Sequence, residues 1–443
     1  GRVSRASGKT VWNIPRMCLF SEKYPFMGCM WRKLPSVNKH SIMLSGSVIS
    51  NDMVEIYDYF IDRNLMELLS DTGINDYTKS VRLNFKIRDL WNRLVLDVPE
   101  NEFAKALDSL YVNHVGEVIL DSLLSKWNRR WHVSLDSAQS EWLLSRHNHY
   151  FRCRSFKKYV SKEKGLQKVE GMVYNAGREG GLVGVECSSW RENTYFNAFV
   201  EAGEAKRFSV VRSLDGYAEG MGFFMGLSAN RPLVIDFEEE SCSEDVASHW
   251  HVGSCWETIT EEEFMANEAA NEYVVDDSDA DFELVDANKT MIQHYFPPKH
   301  SYRTLQGGHT NCWKDVLGTR FQGDSIRGAR IISGGNGKST ATWRATLPKG
   351  YYDVQVFVYK SLTIPGASLP SVINHYTVYY GDEQEEIALS LDEALGNKQQ
   401  GWVSLGNFDF PGGGVKITLS NKENNQNQDI AIIADAVKFV RLE

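Results

Sequence analysis

Three runs near the C-terminus restrict the fold of this chain more than any other feature: Gly401–Phe410, Val415–Asn421 and Ile433–Phe439. Each alternates large apolar residues with small or polar ones at period two, as a half-buried strand requires, and Gly412, Gly413 and Gly414 supply a turn between the first two. Strands of this kind must pair and bury one face. The last third therefore reads as a β-sandwich module and not as an enzyme core.

A chain of 443 residues has room for two to four domains, each with its own core, and we read three. Hydrophobic content of 42% and aromatic content of 12% place it among globular proteins. A formal net charge of -10, with no stripe of Lys and Arg to meet phosphates, argues against nucleic acid as a partner. The seven cysteines (18, 29, 153, 187, 242, 255 and 312) are scattered and form no C-x-x-C pair, which excludes a disulfide scaffold or zinc ribbon. No apolar run approaches the roughly 20 residues that span a bilayer, so no membrane span is expected within the chain. It opens at Gly1 without Met, and we expect it to be continuous with upstream domains of a larger protein.

Apolar spacing from about residue 50 to 130 is helical. Ser50, Asn51 and Asp52 offer caps before Tyr57, Phe60 and Ile61; Val81, Phe85, Leu90 and Leu94 continue the stripe; Pro99 opens a helix carrying Phe103, Leu107 and Leu110; Leu120, Leu124 and Trp127 mark another. Residues 10 to 35 are rich in aromatics and Met without clear period, and read either as a peripheral wrap on these helices or as the edge of a larger domain. Near residue 150 the period drops to two. Leu166–Tyr174, Leu182–Cys187, Phe196–Val200, Arg207–Arg212 and Pro232–Phe237 suggest an immunoglobulin-like sandwich. The expected domains are 1–150 (helical), 151–271 (immunoglobulin-like) and 272–443 (a jelly-roll-like sandwich), a multidomain α+β architecture.

The third module resembles the golvesin C-terminal-like domain, a carbohydrate-binding-like β-sandwich of secreted and envelope proteins of bacteria. The resemblance lies in Val274–Phe282, Ala341–Ala345, Gly350–Val354, His375–Val378, Gly401–Gly406 and Ile433–Val437, with Met291–Arg330 standing out as an insertion. It implies an extracytoplasmic bacterial protein and a glycan or surface partner. Residues 80–240 also resemble, loosely, the C-terminal portion of aminopeptidase-N-type zinc peptidase relatives of Bacteroidetes. The H-E-x-x-H that would hold zinc beside a Glu base is absent, so any such catalytic domain would lie upstream.

Candidate chemistry is sparse. Tyr302, Trp313, Tyr359 and Trp402 are candidates for a sugar platform, because pyranose C–H groups stack on aromatic rings while polar neighbours meet the hydroxyls; Trp343 and Trp402 also lie in strands where Trp commonly fills a core. Asp277, Asp279 and Asp281 alternate in a loop and could hold Ca2+. Cys242, His249, His251 and Cys255 are four soft ligand types in 14 residues, at a spacing that matches no zinc finger, and His147, His149 and Cys153 form a weaker group. Cys187 with His251 would make a thiol hydrolase, but no helix follows Cys187 to lower its pKa. Gly334–Thr340 mimics a phosphate loop, yet Ile332 stands where Gly is required, and it reads as a hairpin turn. The reading is a non-catalytic extracytoplasmic segment, ending in a module for glycan or surface binding or for spacing; the alternative is part of a zinc peptidase-like enzyme, or a thiol hydrolase. No cofactor is required beyond possible Ca2+.

Overall fold

Apolar stripes at helical spacing can be buried only against one another, and in the computed structural model they are. The structure describes residues 3–6, 9–12, 17–34, 58–188, 194–214, 220–231, 234–240, 243–265, 271–287, 310–318, 321–323, 326–360, 372–381, 383–423 and 430–442. The proposed caps at Ser50, Asn51 and Asp52 lie outside them. Helices span Met27–Lys33, Leu65–Ser70, Asp76–Leu94, Glu100–Asn113, Leu120–Trp131 and Leu135–Leu144. Asn64 and Glu67 close a capping box on the second of these, Asn75 caps the third, and Pro99 stands at the N-cap of the fourth. Phe103 is fully buried and meets the rings of Trp31, Trp91, Trp127 and Trp131 at 5.2 to 6.0 Å between centroids. Truncating such a side chain to Ala costs about 3–5 kcal/mol.

Trp31, Met27 and Met30 sit inside this helical core, so the aromatic-rich N-terminal segment is part of it and not a peripheral wrap. It is fixed further by β3 (Met17–Phe20), which pairs in parallel with β4 (Gly116–Ile119); upstream, β1 (Val3–Ala6) and β2 (Lys9–Trp12) form a hairpin.

Period-two alternation begins in earnest with β5 (Phe151–Ser161) and β6 (Leu166–Asn175), followed by β7 (Gly181–Ser188), β8 (Thr194–Val200), β9 (Ala205–Ser213), β10 (Gly220–Met225), β11 (Val234–Asp236), β12 (Glu238–Glu240) and β13 (Gly253–Ile259). They make two sheets, β11-β10-β7-β8 and β12-β5-β6-β9-β13, whose facing side chains share one core around Phe156, Phe208 and Phe223. The loop from Asn175 to Gly181 thus carries the chain from one sheet to the other. The acidic run Glu238–Glu240 is an edge strand parallel to β5, where Lys158 pairs with Glu239 at 2.8 Å.

The last region holds β14 (Glu272–Val275), β15 (Phe282–Val285), β16 (Lys314–Leu317), β17 (Gly328–Ser333), β18 (Thr340–Leu347), β19 (Gly350–Tyr359), β20 (Ile373–Tyr380), β21 (Glu383–Ser390), β22 (Gln400–Phe410), β23 (Gly413–Ser420), β24 (Ala431–Ala434) and β25 (Val437–Arg441). Sheets β14-β25-β19-β22 and β15-β18-β23-β20-β21 enclose a core of Trp343, Tyr352, Val354, Ile417, Phe410 and Phe439, and β16-β17-β24 forms a third sheet at its flank. One expectation is corrected here. Gly334–Thr340 joins β17 to β18, which belong to different sheets, so it is a crossing and not a hairpin. The segment Met291–Arg330 supplies β16 and the first residues of β17, and its Trp313 enters the main core.

Arg231 ties the regions together. Its guanidinium pairs with Asp58 beside the helices, and its carbonyl accepts the backbone N–H of Arg327. Leu227 inserts into the helical core from the strand region. Among the described residues no helix is long and apolar enough to cross a membrane.

Candidate functional site

Alternation along β19 sends Tyr352, Val354, Val356 and Val358 into the core, leaving Asp353, Gln355 and Phe357 on the opposite face of the sheet. Register then decides their neighbours. Phe357 faces Trp402 and Gln355 faces Ser404 on β22, while Gln355 faces Lys438 on β25. The Trp402 and Phe357 rings pack edge to face at 5.4 Å, and the Lys438 ammonium lies 4.8 Å from the Trp402 ring centroid, also pairing with Glu272 at 3.6 Å. The Asp353 carboxylate accepts hydrogen bonds from Gln355 Nε2 (2.6 Å) and Ser404 Oγ (2.5 Å). A bulge between Val354 and Gln355 is matched on β22 by Gly406, whose φ of +136° favours glycine. The result is a half-buried indole standing outside the core, with Phe357 and the Lys438 ammonium against its ring and the hydroxyl, amide and carboxylate of Ser404, Gln355 and Asp353 following along the same strands.

The other aromatic candidates fare differently. Trp343 is a core residue, 1% exposed, and donates its indole N–H to the Asp435 carbonyl at 3.1 Å. Trp313, expected on a polar surface, is 8% exposed in the same core and donates to the Val285 carbonyl at 3.2 Å, so it presents no platform. Tyr359 is buried beside Phe321. Tyr302 lies outside the described residues.

Of the three aspartates proposed for calcium, only Asp277 is buried. Asp279 is exposed and accepts the Asp276 backbone N–H at 2.8 Å, a turn-capping role; the Asp281 side chain is exposed, while its carbonyl accepts Arg344 N–H. Asp277 instead meets Asp276 and Asp435, three buried carboxylates that can each bring one oxygen within 4.8 Å of the others. Arg330 pairs with Asp277 Oδ2 at 2.9 Å, donates to the Asp277 carbonyl, and also pairs with Asp315. Asp276 Oδ2 accepts Ser278 Oγ at 2.7 Å and Ser278 N–H at 3.3 Å; Asp276 Oδ1 is buried with no hydrogen-bond partner among the described residues. The Asp435 carboxylate accepts the Gln322 N–H. Burial pushes the Asp276 carboxyl up to about 6, and burial with the neighbouring Asp276 charge pushes Asp277 up to about 7. Asp435 is raised well above the usual carboxylate range, chiefly by burial. Three oxygen donors at one buried point could hold a metal ion.

A second set of buried ionisable groups lies where the helix Asp76–Leu94 meets the strand region. Lys86 Nζ is 2.5 Å from His147 Nε2 and donates to Ser145 Oγ at 3.1 Å; Asp89 pairs with Arg93 at 3.5 Å and lies 3.8 Å from His147. His149 packs between the His147 and Phe151 rings, and its two nitrogens have no hydrogen-bond partner among the described residues. A Cβ on Gly181 would sit 2.4 Å from the His149 ring, so that position requires glycine. Sequence reading had noticed the histidines and missed Lys86, Asp89 and Arg93, which look like surface residues of an ordinary helix.

Cys187 is buried in the strand-region core, whereas His251 is exposed in the loop before β13. His249 and Cys255 are exposed as well, and Cys242 lies outside the described residues.

A family model described as Ntox35, bacterial toxin 35, matches residues 287–344, about an eighth of the chain. No curated protein matches the sequence. Among solved structures, the chain aligns with a Paenibacillus xanthan lyase (12% identity, 62% of this chain and 23% of that one, TM-score 0.27). It also aligns with a Podospora anserina GH26-CBM35 β-(1,4)-mannanase (12% identity, 39% and 28%, TM-score 0.23) and a Bacteroides uniformis β-glucuronidase (10% identity, 70% and 32%, TM-score 0.21). The chain spans less than a third of the length of each of these three enzymes. Neither the golvesin-like nor the peptidase-like resemblance is matched by these comparisons.

Proposed function

We propose that this chain is a non-catalytic, extracytoplasmic segment of a larger secreted or envelope protein, and that its last region, 272–443, is a golvesin-type sandwich that binds glycan through the sheet face around Trp402. One observation carries the reading: among the described candidates Trp402 is the aromatic held outside the core, with Phe357 and Lys438 against its ring and Ser404, Gln355 and Asp353 following along the same strands. An indole placed this way offers a stacking surface to the C–H face of a pyranose, and the polar side chains along the strands offer partners for hydroxyls of a longer glycan. In this reading 1–150 and 151–271 are helical and immunoglobulin-like spacers. The burial of Cys187 and the exposure of His251 speak against the thiol-hydrolase alternative, whose nucleophile and base must touch.

Affinity electrophoresis of the full chain through gels containing soluble xanthan, mannan or glucuronan tests the proposal. Retardation in at least one gel, lost in Trp402→Ala with the melting temperature within a few degrees of wild type, is the expected result. Equal retardation of the variant would remove Trp402 from the site, and migration unaffected by every polysaccharide would remove the glycan. The toxin-family match favours a second reading as an effector. Against it, the described part of the match contributes Trp313, Ile332, Ala341 and Trp343 to the core of the larger sandwich. Growth arrest of bacterial cells on cytosolic expression of the full chain would support it.

A further inference from the structure

We propose that Asp276, Asp277 and Asp435 form a binding site for one divalent cation, Ca2+ in first place, which joins the β14–β15 turn to the β24–β25 connection. The aspartates are 7%, 6% and 2% exposed and come from segments some 160 residues apart in sequence, so the fold itself brings like charges together out of water. Oxygen-only donors select hard cations such as Ca2+, Mg2+ or Mn2+ over zinc.

The atom that points to a ligand is Asp276 Oδ1. Its sister oxygen is occupied twice by Ser278, and Arg330 is committed to Asp277 and Asp315, yet Oδ1 is buried with no hydrogen-bond partner among the described residues. Native structures leave few buried acceptors in that condition without an ion or water. Charge agrees: Asp276, Asp277, Asp315 and Asp435, with Asp279 nearby, outnumber the two guanidiniums beside them, Arg330 and Arg327. This inference does not depend on the glycan reading, since no residue is shared with the Trp402 face.

The test uses the full chain, stripped with a chelator and dialysed, and titrated with CaCl2 alone by calorimetry at neutral pH, alongside thermal melting with and without Ca2+. One site per chain and a melting transition raised by about 5 °C or more at saturating Ca2+ are expected. Asp276→Asn and Asp435→Asn should each weaken binding at least tenfold, and Asp281→Asn, on the exposed side of the same turn, should leave it unchanged. Absence of heat and of any melting shift with Ca2+, Mg2+ and Mn2+ in the wild-type chain would overturn the proposal even if the variants failed to fold. Wild-type affinity in both buried-site variants, or loss of binding in Asp281→Asn with both buried-site variants unaffected, would overturn it too.

Discussion

Replacing Lys86 with Met should abolish a pH dependence of stability that the helical region carries above neutrality. Lys86 is fully buried, and burial pushes its ammonium group down to about 7; Asp89 and Glu179 pull it up and Arg93 pushes it down. His147, 2.5 Å away, is itself held well below its usual range by burial and by the Lys86 charge, so it stays neutral and accepts from Lys86. In the unfolded chain Lys86 returns to its ordinary value of about 10.4. Between those two values the unfolded chain binds one proton more than the folded one, so stability rises with pH across the window and is lost as pH falls toward 7. The window is about three and a half pH units wide at about 1.4 kcal/mol each, about 5 kcal/mol in full. Two of those units, from about pH 7.5 to about pH 9.5, give about 2–3 kcal/mol. Urea unfolding followed by circular dichroism at 222 nm, which the helices dominate, should show wild type gaining that much more than Lys86→Met over the interval. Tyrosine and cysteine titrations occur in both chains and cancel in the difference. Parallel pH profiles for the two proteins would refute the reasoning, because a fully buried ammonium cannot titrate without this coupling.

Acid should act through His149, which burial pushes down to about 3: the unfolded chain takes up its proton below about pH 6.5, so stability should fall from there toward pH 3, and a His149→Phe melting profile should be flatter in that range. Gly181→Ala forces a Cβ into the His149 ring and should cost about 1–3 kcal/mol by thermal melting, with a neutral result showing that the ring yields. Trp313→Ala should cost about 3–5 kcal/mol in the last region, as expected for a core indole, and a surface-like cost below about 1 kcal/mol would contradict its placement. Alkylation should label exposed Cys18, Cys29 and Cys255 quickly and buried Cys153 and Cys187 only on denaturation; rapid labelling of Cys187 would revive the thiol-hydrolase alternative.

Local patterns in the sequence carried the helices and most strands, because their stripes have a period that neighbouring residues reveal. The stripe through Leu90 and Leu94, the helix after Pro99 and the strands around Tyr352 and Ile417 are of this kind. Pairing was not local. Period two could not say that β6 and β7, or β17 and β18, belong to different sheets, so Gly334–Thr340 reads as a hairpin turn in the sequence although it crosses between sheets. Aromatics were ambiguous for the same reason: Trp313 and Trp402 both sit among polar residues in sequence, and only register places one in the core and the other outside it. The aspartate cluster needed Asp435 beside Asp277. One signal was available, a lone acid inside Ile432–Val437, a run apolar enough that a carboxylate there must have a partner.

The pairing of β14 with β25 has a mechanical consequence. Glu272 lies against Val440 and Val275 against Val437, while the Arg441 N–H reaches the Asn271 carbonyl at 2.7 Å, so chain entry and exit of the last region sit side by side. Tension applied between residues 271 and 442 would therefore peel the two strands apart one pair at a time, a geometry that yields at low force, until it reached the turn where Asp276 and Asp277 face Asp435. Resistance to pulling would be concentrated at that inner end of the zipper, and an ion bound there would act as its stop.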